Sequence, residues 1–276
     1  MNRTIELRSR WTLVTGASSG LGLEMARAIA RDHGGNVVLV ARRKDRLETL
    51  CEELRTRHGV QAAFIVADLS RPEDVERVFA EATRERVLHG AILNAGVTYW
   101  GEAMKLDWDA FQALLNTNVT SMVRLSSLLL PHLVEQAGAQ GGARGGAAGL
   151  MLISSVAAFI PVPYQAAYSG TKAFILSYGQ ALAQELRHTG VSVTVFAPGG
   201  ISTELLENSG LSRRFKAGDL GVMTAAQCAT HAVRAFVQRK ELSVPGLLNQ
   251  TLALASRLLP RGLLAQRTAA MYRPER

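Results

Sequence analysis

The chain reads as an α/β fold, a single doubly wound parallel sheet of about seven strands with helices on both faces. Three observations point there. Short apolar runs alternate with longer stretches of helical periodicity from residue 11 to residue 244. The second run, Asn36–Ala41 (NVVLVA), is almost continuously apolar, as a strand covered on both faces must be. The first run, Trp11–Thr15, passes through a glycine-rich turn straight into a helical pattern, the strand–turn–helix order that starts a βαβ unit.

Taken in order, Trp11–Thr15 leads into TGASSGLG, residues 15–22, and then a helix with apolar positions at Leu23, Ala26, Ile29 and Ala30. Gly16 allows the tight turn, Gly20 lets backbone approach a pyrophosphate, and Gly22 lets helix and strand pack closely. The helix start is then a ready anion site. The bland alternative is a glycine turn with no ligand. After the second strand come Arg42 and Arg43. Arg42 stands twenty residues beyond Gly22, where an acid would hold a ribose hydroxyl and a base a 2′-phosphate. That favours NADP(H) over NAD(H), against the alternative of a solvated helix start.

A third strand at 61–67 ends in Asp68-Leu69, and Pro72 opens the next helix. A fourth at 91–93 runs into Asn94-Ala95-Gly96. A long helical stretch at 108–132 contains Asn116 and Asn118, poor mid-helix residues that predict a bend. Residues 135–149 are rich in Gly and Ala and read as a flexible surface loop. The fifth strand, 150–153, ends in Ser154-Ser155, at the sheet edge where ligands of such folds bind. Val191–Phe196 is the sixth, ending in Pro198-Gly199-Gly200. Residues 200–222 read as a mobile substrate flap, Thr224 as a helix N-cap, and 241–244 as a short last strand. The catalytic unit therefore spans 1–245, and 246–276 is a helical extension.

Tyr168 and Lys172 are four residues apart and share one helix face. An ammonium beside a phenol favours the phenolate and lowers its pKa, making it a usable acid or base near neutrality. Alone, such a pair is more often an ordinary surface pair.

The composition excludes several classes. Of 276 residues, 47% are hydrophobic and 20% charged, enough apolar chain for a full core. Two cysteines without ligand spacing predict neither a disulfide framework nor a metal site, and a reducing, cytoplasmic setting. The polar N-terminus shows no signal peptide, and no apolar run is long enough to span a bilayer. The net charge is +8, of which the segment from Arg234 onward carries +6, with eight Lys/Arg against Glu241 and Glu275. No nucleic-acid motif accompanies that charge, so a nucleic-acid partner is not expected.

These residues together resemble the short-chain dehydrogenases/reductases over roughly 11–244. The family's T-G-x-x-x-G-x-G loop matches Thr15 to Gly22, its adenine-contacting acid Asp68, and its N-A-G segment Asn94 to Gly96. Its catalytic tetrad matches Asn118, Ser155, Tyr168 and Lys172, and its P-G segment with a downstream threonine matches Pro198, Gly199 and Thr203. Leu93 departs from the family, which often has asparagine there. The resemblance implies cofactor contacts from Gly16, Ser18, Ser19, Gly20, Leu21, Gly22, Arg42, Arg43, Asp68, Leu69, Asn94, Ala95, Gly96, Tyr168, Lys172, Pro198, Gly199, Ile201 and Thr203. It implies substrate contacts from Ser155 and Tyr168, with Asn118 holding a proton-relaying water, and hydride transfer between NADP(H) and a small or lipophilic ketone or 3-oxo compound. It also implies a homodimer or homotetramer. The competing classes are a non-catalytic NADP-binding sensor, which would have no use for a tuned phenol, and a membrane-associated scaffold using the basic tail. In that tail Leu248, Leu252, Ala255 and Leu259 recur at helical spacing, broken by Pro260 and Gly262. Packing on the domain or a sister subunit is the favoured reading of this stripe, peripheral contact with an anionic membrane the other.

Overall fold

The computed structural model describes residues 4–139, 147–215 and 218–274. In chain order the first half runs β1 (Trp11–Thr15), α1 (Gly20–His33), β2 (Asn36–Ala41), α2 (Lys44–His58), β3 (Ala62–Val66), α3 (Pro72–Thr83), β4 (Leu88–Leu93), α4 (Trp108–Leu115) and α5 (Ser121–Ala139). The second half runs β5 (Ala148–Ile153), α6 (Ala166–Glu185), β6 (Val191–Phe196), β7 (Gly200–Ser202), α7 (Glu204–Asn208), β8 (Val222–Thr224), α8 (Ala225–Val237), β9 (Leu242–Ser243), α9 (Leu247–Ala255) and α10 (Arg261–Tyr272).

The seven-stranded sheet has the order β3-β2-β1-β4-β5-β6-β9, and every pairing is parallel. Because successive strand residues face opposite sides, β1 sends Leu13 into one core and Val14 into the other. One layer joins α1, α2 and α8 through Met25, Ile29, Leu50, Leu54 and Phe236. The other joins α3, α5 and α6 through Val78, Leu125, Leu129 and Ile175. Each such fully buried aliphatic side chain stabilises by roughly 1.5–3 kcal/mol relative to an exposed one. The chain reverses order between β1 and β4, so the strand ends there open a crevice, and the glycine turn lies in it.

Several expected boundaries move. Strand four begins at Leu88 rather than 91, because His89 is buried in the sheet despite its polarity. The helical stretch after residue 108 is interrupted where the asparagines predicted a bend: Asn116–Thr120 forms a π-helical turn between α4 and α5. The expected flexible loop at 135–149 is shorter than predicted. Helix α5 continues to Ala139 and β5 starts at Ala148, since alanine supports both the helix end and the buried strand start; residues 140–146 lie outside the described residues. The segment 200–222 is not simply a helical flap. Strands β7 and β8 pair in parallel, Gly200 opposite Val222, and carry α7 between them.

The tail forms two helices that break at Pro260, as its periodicity predicts. The face that docks them on the domain is not the expected one. Leu248, Leu252 and Leu259 are 44, 51 and 43% exposed, while Asn249 and Thr268 are buried. Polar side chains win because each meets backbone carbonyls waiting on the domain. Asn249 Nδ2 donates to Pro245 O at 3.0 Å and Gly221 O at 3.4 Å, and Thr268 Oγ1 donates to Pro161 O at 2.9 Å. Among the described residues, no helix is long and apolar enough to cross a membrane.

Candidate active site

The glycine turn is built for close approach. Gly16 and Gly20 have φ of +68° and +54°, in the left-handed region where a side chain is strained. A Cβ at Gly22 would stand 2.3 Å from Gly16 O and 2.6 Å from Asn94 Nδ2, so this position tolerates no side chain. Asn94 earns its place through Thr15: Asn94 Nδ2 donates to Thr15 O at 3.0 Å, and the Asn94 and Ala95 amides donate to Thr15 Oγ1 at 2.9 and 3.0 Å. Leu93, where the family often has asparagine, is buried in the core beneath.

The two arginines after β2 point in different directions. Arg42 points outward, 70% exposed along its side chain, with its nearest acid, Asp68, 4.0 Å away. Arg43 instead turns onto the glycine turn. It donates to Ser18 Oγ at 3.0 and 3.1 Å, to Ser19 Oγ at 2.7 Å, and to Glu204 Oε2 at 2.7 Å. Arg46, one turn along α2, pairs with the other Glu204 oxygen. The two guanidiniums hold the Glu204 carboxyl down at about 2. Thr203, beside it, packs on Gly20, whose added Cβ would meet the Thr203 methyl at 3.1 Å. Asp68 is spent locally: its Oδ1 accepts from the Ser70 amide at 3.0 Å and from Ser70 Oγ at 2.8 Å, shaping the turn into α3. Leu69 is buried behind it. Ile201 lies in β7, partly packed on the α1 side of the core.

The four tetrad candidates come from three separate segments and meet. Helix α6 carries Tyr168 and Lys172 on one face, the Lys172 Nζ 5.6 Å from the Tyr168 ring centre. Ser155, at the end of β5, hydrogen-bonds the Tyr168 phenol. Its Oγ also accepts from the Ala157 amide at 3.2 Å, which fixes the hydroxyl at the strand end. Lys172 is 4% exposed and donates to Ile153 O at 3.0 Å. Gly96 is where the pieces converge: a Cβ there would lie 3.3 Å from Asn118 Oδ1 and 3.5 Å from Lys172 Nζ.

The Asn118 side chain is engaged within the protein. Its Oδ1 accepts from the Val97 amide and its Nδ2 donates to Val97 O, both at 2.8 Å, and the second Nδ2 hydrogen goes to Thr171 Oγ1 at 3.1 Å. The side-chain amide thus straps the β4 loop to the π-helical turn and to α6, acting as a strut. Burial also shapes the electrostatics of the pair. Burial raises the Tyr168 phenol above its usual value, and the Ser155 hydrogen bond only partly opposes this. Burial pushes the Lys172 ammonium down to about 8. Burial is the largest cause of both shifts.

Some of the site was missed from the sequence. Thr171 and Val97 carry no motif; Arg46 and Glu204 are 158 residues apart and only the fold joins them. Asn249 reaches Gly199, where a Cβ would stand 2.5 Å from its Nδ2, so Gly199 is needed for tail docking as well. The helical spacing of Arg43 and Arg46 is the one signal that could have been read.

Residues 10–213 match the family model for short chain dehydrogenases. The chain is 34% identical over 209 residues to an uncharacterized oxidoreductase of Myxococcus xanthus, covering 72% of this chain and 75% of that one. It is 31% identical to the 7beta-hydroxysteroid dehydrogenase of Collinsella aerofaciens, covering 87% and 86%. It is also 31% identical to mouse 17-beta-hydroxysteroid dehydrogenase type 3, where it spans 71% of itself but only 61% of the mouse enzyme. A solved short-chain dehydrogenase from Sphingobium yanoikuyae in complex with NADPH superposes with a TM-score of 0.79 at 30% identity, covering 92% of this chain and 94% of that one.

Proposed function

The chain belongs to the short-chain dehydrogenase family, oxidoreductases of alcohol and carbonyl groups, and from that premise we propose that it reduces a lipophilic ketone or 3-oxo compound with NADPH, Tyr168 acting as the acid. The observation that carries this is the meeting of Ser155, Tyr168 and Lys172 at the carboxyl end of β5. The glycine turn fits a dinucleotide, because Gly16 and Gly20 take left-handed backbone angles and Gly22 packs against Gly16 O, the geometry that brings main-chain amides together at a helix start. Residues 15–22, Asn94–Gly96 and Thr203 would hold it. Arg43, already turned onto Ser18 and Ser19, supports a 2′-phosphate and hence NADP(H); this is a change of residue from Arg42.

When bound, the nicotinamide supplies the hydride that goes to the carbonyl carbon. The protein's part is at the oxygen. Ser155 Oγ and Tyr168 Oη donate hydrogen bonds to it, favouring the charge that develops there. Tyr168 then gives its proton, so hydride and proton together turn C=O into CH–OH; the reverse reaction takes the proton back. Lys172, held on Ile153 O, places its positive charge beneath the tyrosine ring and stabilises the phenolate left behind. Asn118 keeps these elements in register. The segment 200–222 and the loop at 156–165 are the places for substrate choice. Relatives named hydroxysteroid dehydrogenase and very-long-chain 3-oxoacyl-CoA reductase support the lipophilic class.

Tyr168→Phe should lower turnover about a hundredfold or more, with circular dichroism unchanged. Near-wild-type NADPH oxidation by that variant on a good ketone would refute the mechanism and leave the sensor reading.

A second reading concerns where the protein acts. The exposed Leu247, Leu254 and Leu258 are 81, 61 and 81% accessible, and residues 246–274 carry four arginines and no acid. This composition suits the surface of an anionic membrane, or a sister subunit. Salt-sensitive co-sedimentation with anionic vesicles supports the first; a change of oligomeric state on truncation at Pro245 supports the second.

A further inference from the structure

The C-terminal helix α10 does more than rest on the domain. Its last turns touch three separate loops. Thr268 donates to Pro161 O at 2.9 Å, in the loop that follows β5. The Trp100 indole, in the loop that follows β4, donates to Tyr272 O at 2.7 Å. From the segment that follows α7, Arg214 donates to Arg273 O at 2.7 Å, and the Phe215 ring lies 5.1 Å from the Tyr272 ring. Trp100 in turn packs over Gly210, whose added Cβ would stand 3.4 Å from the indole. These are the loops that leave the carboxyl ends of the strands, where a substrate of this fold must enter. The Tyr272 ring is half-buried between these loops; burial raises its phenol to about 12, and the Tyr168 phenol contributes to the rise.

We propose that Tyr272 is a specificity-determining residue: with Trp100 and Phe215 it roofs the carbonyl site and limits the bulk a ketone can carry on the side away from the nicotinamide. Flat apolar ketones pass under an aromatic roof, where ring faces reward them; ketones with a bulky group on that side meet the Tyr272 ring. The segment 204–215 and α10 behave as one cover, because their hydrogen bonds and ring contact join them. The proposal rests on the ketone-reductase reading above, and goes beyond it by assigning the size limit to one residue.

The test is a pair of aryl ketones, one small and one carrying a bulky second substituent, with wild type, Tyr272→Ala and Tyr272→Phe. Tyr272→Ala should raise the ratio of kcat/KM for the bulky over the small ketone about tenfold or more, through KM, with kcat on the small ketone little changed. Tyr272→Phe, which keeps the ring, should keep the wild-type ratio. Direct binding of an acylated aminonaphthalene dye, read by its emission shift, separates this proposal from the reading beneath it. Tighter dye binding by Tyr272→Ala supports the roof whether or not the protein turns over ketones. Should Tyr272→Ala be too unstable to assay, Tyr272→Leu removes the ring and opens the space beneath it while keeping an apolar anchor, and should raise the same ratio. An unchanged size ratio together with unchanged dye affinity in the soluble variant would overturn the proposal and leave Tyr272 as a tail anchor.

Discussion

Removing Arg43 separates cofactor choice from fold stability. In the structure its guanidinium makes hydrogen bonds of 2.7 to 3.1 Å to Ser18, Ser19 and Glu204. The side chains of Arg43 and Glu204 remain 39 and 35% exposed. The depressed Glu204 carboxyl would suggest several kcal/mol of stability, but a pair this open to water is screened, and Glu204 keeps Arg46. Arg43→Ala should therefore cost less than about 1 kcal/mol in folding. A charged hydrogen bond from Arg43 to a 2′-phosphate contributes roughly 1.5–3 kcal/mol. NADPH affinity should then fall by about ten- to 150-fold. NADH affinity should stay put, since a 2′-hydroxyl carries no charge. Quenching titrations with both cofactors, beside thermal melts, measure the two effects. Arg42→Ala, at an exposed side chain, should lose less than Arg43→Ala. Equal losses for NADPH and NADH, or an unmoved NADPH constant, would refute the assignment.

Two further outcomes follow from burial and packing. Lys172 has its pKa depressed from 10.5 to about 8, so between those values the unfolded chain binds the extra proton and stability rises with pH. The cost of holding the charge is full below pH 8 and relieved toward 10.5; Lys172→Met should therefore be more favourable relative to wild type at pH 7 than at pH 10, by about 2–3 kcal/mol. Equal differences in calorimetric stability at the two pH values would contradict it. Gly22→Ala puts a Cβ 2.3 Å from a backbone oxygen that cannot move aside, and should cost about 1–3 kcal/mol or more in denaturant melts and weaken both cofactors. The control Gly170→Ala, whose Cβ meets nothing within 4 Å on an exposed helix surface, should be neutral or stabilising; a Gly22→Ala protein as stable as this control would show the turn to be pliable.

Much of this molecule is local in origin, and local features are legible in a chain of letters. The run NVVLVA is a two-sided strand because every residue in it is apolar. The turn at Gly16–Gly22 is readable because glycine alone accepts its backbone angles and close contacts. Asn116 and Asn118 announced a break in helix, which took the form of a π-helical turn. The parallel order and the meeting of Ser155 with Tyr168 followed from strands alternating with helices. The tertiary structure decided what depends on water and distance. Whether Arg42 or Arg43 faces the glycine turn is a matter of one residue's direction at a helix start. Which tail residues dock was set by free backbone carbonyls at Pro161, Gly221 and Pro245, so Asn249 and Thr268 went in and the leucines stayed out. The pKa shifts of Tyr168 and Lys172 have burial as their largest cause, which no spacing encodes. The contacts of Tyr272 with Trp100 and Phe215 join residues far apart in the chain, and only the packed loops bring them together.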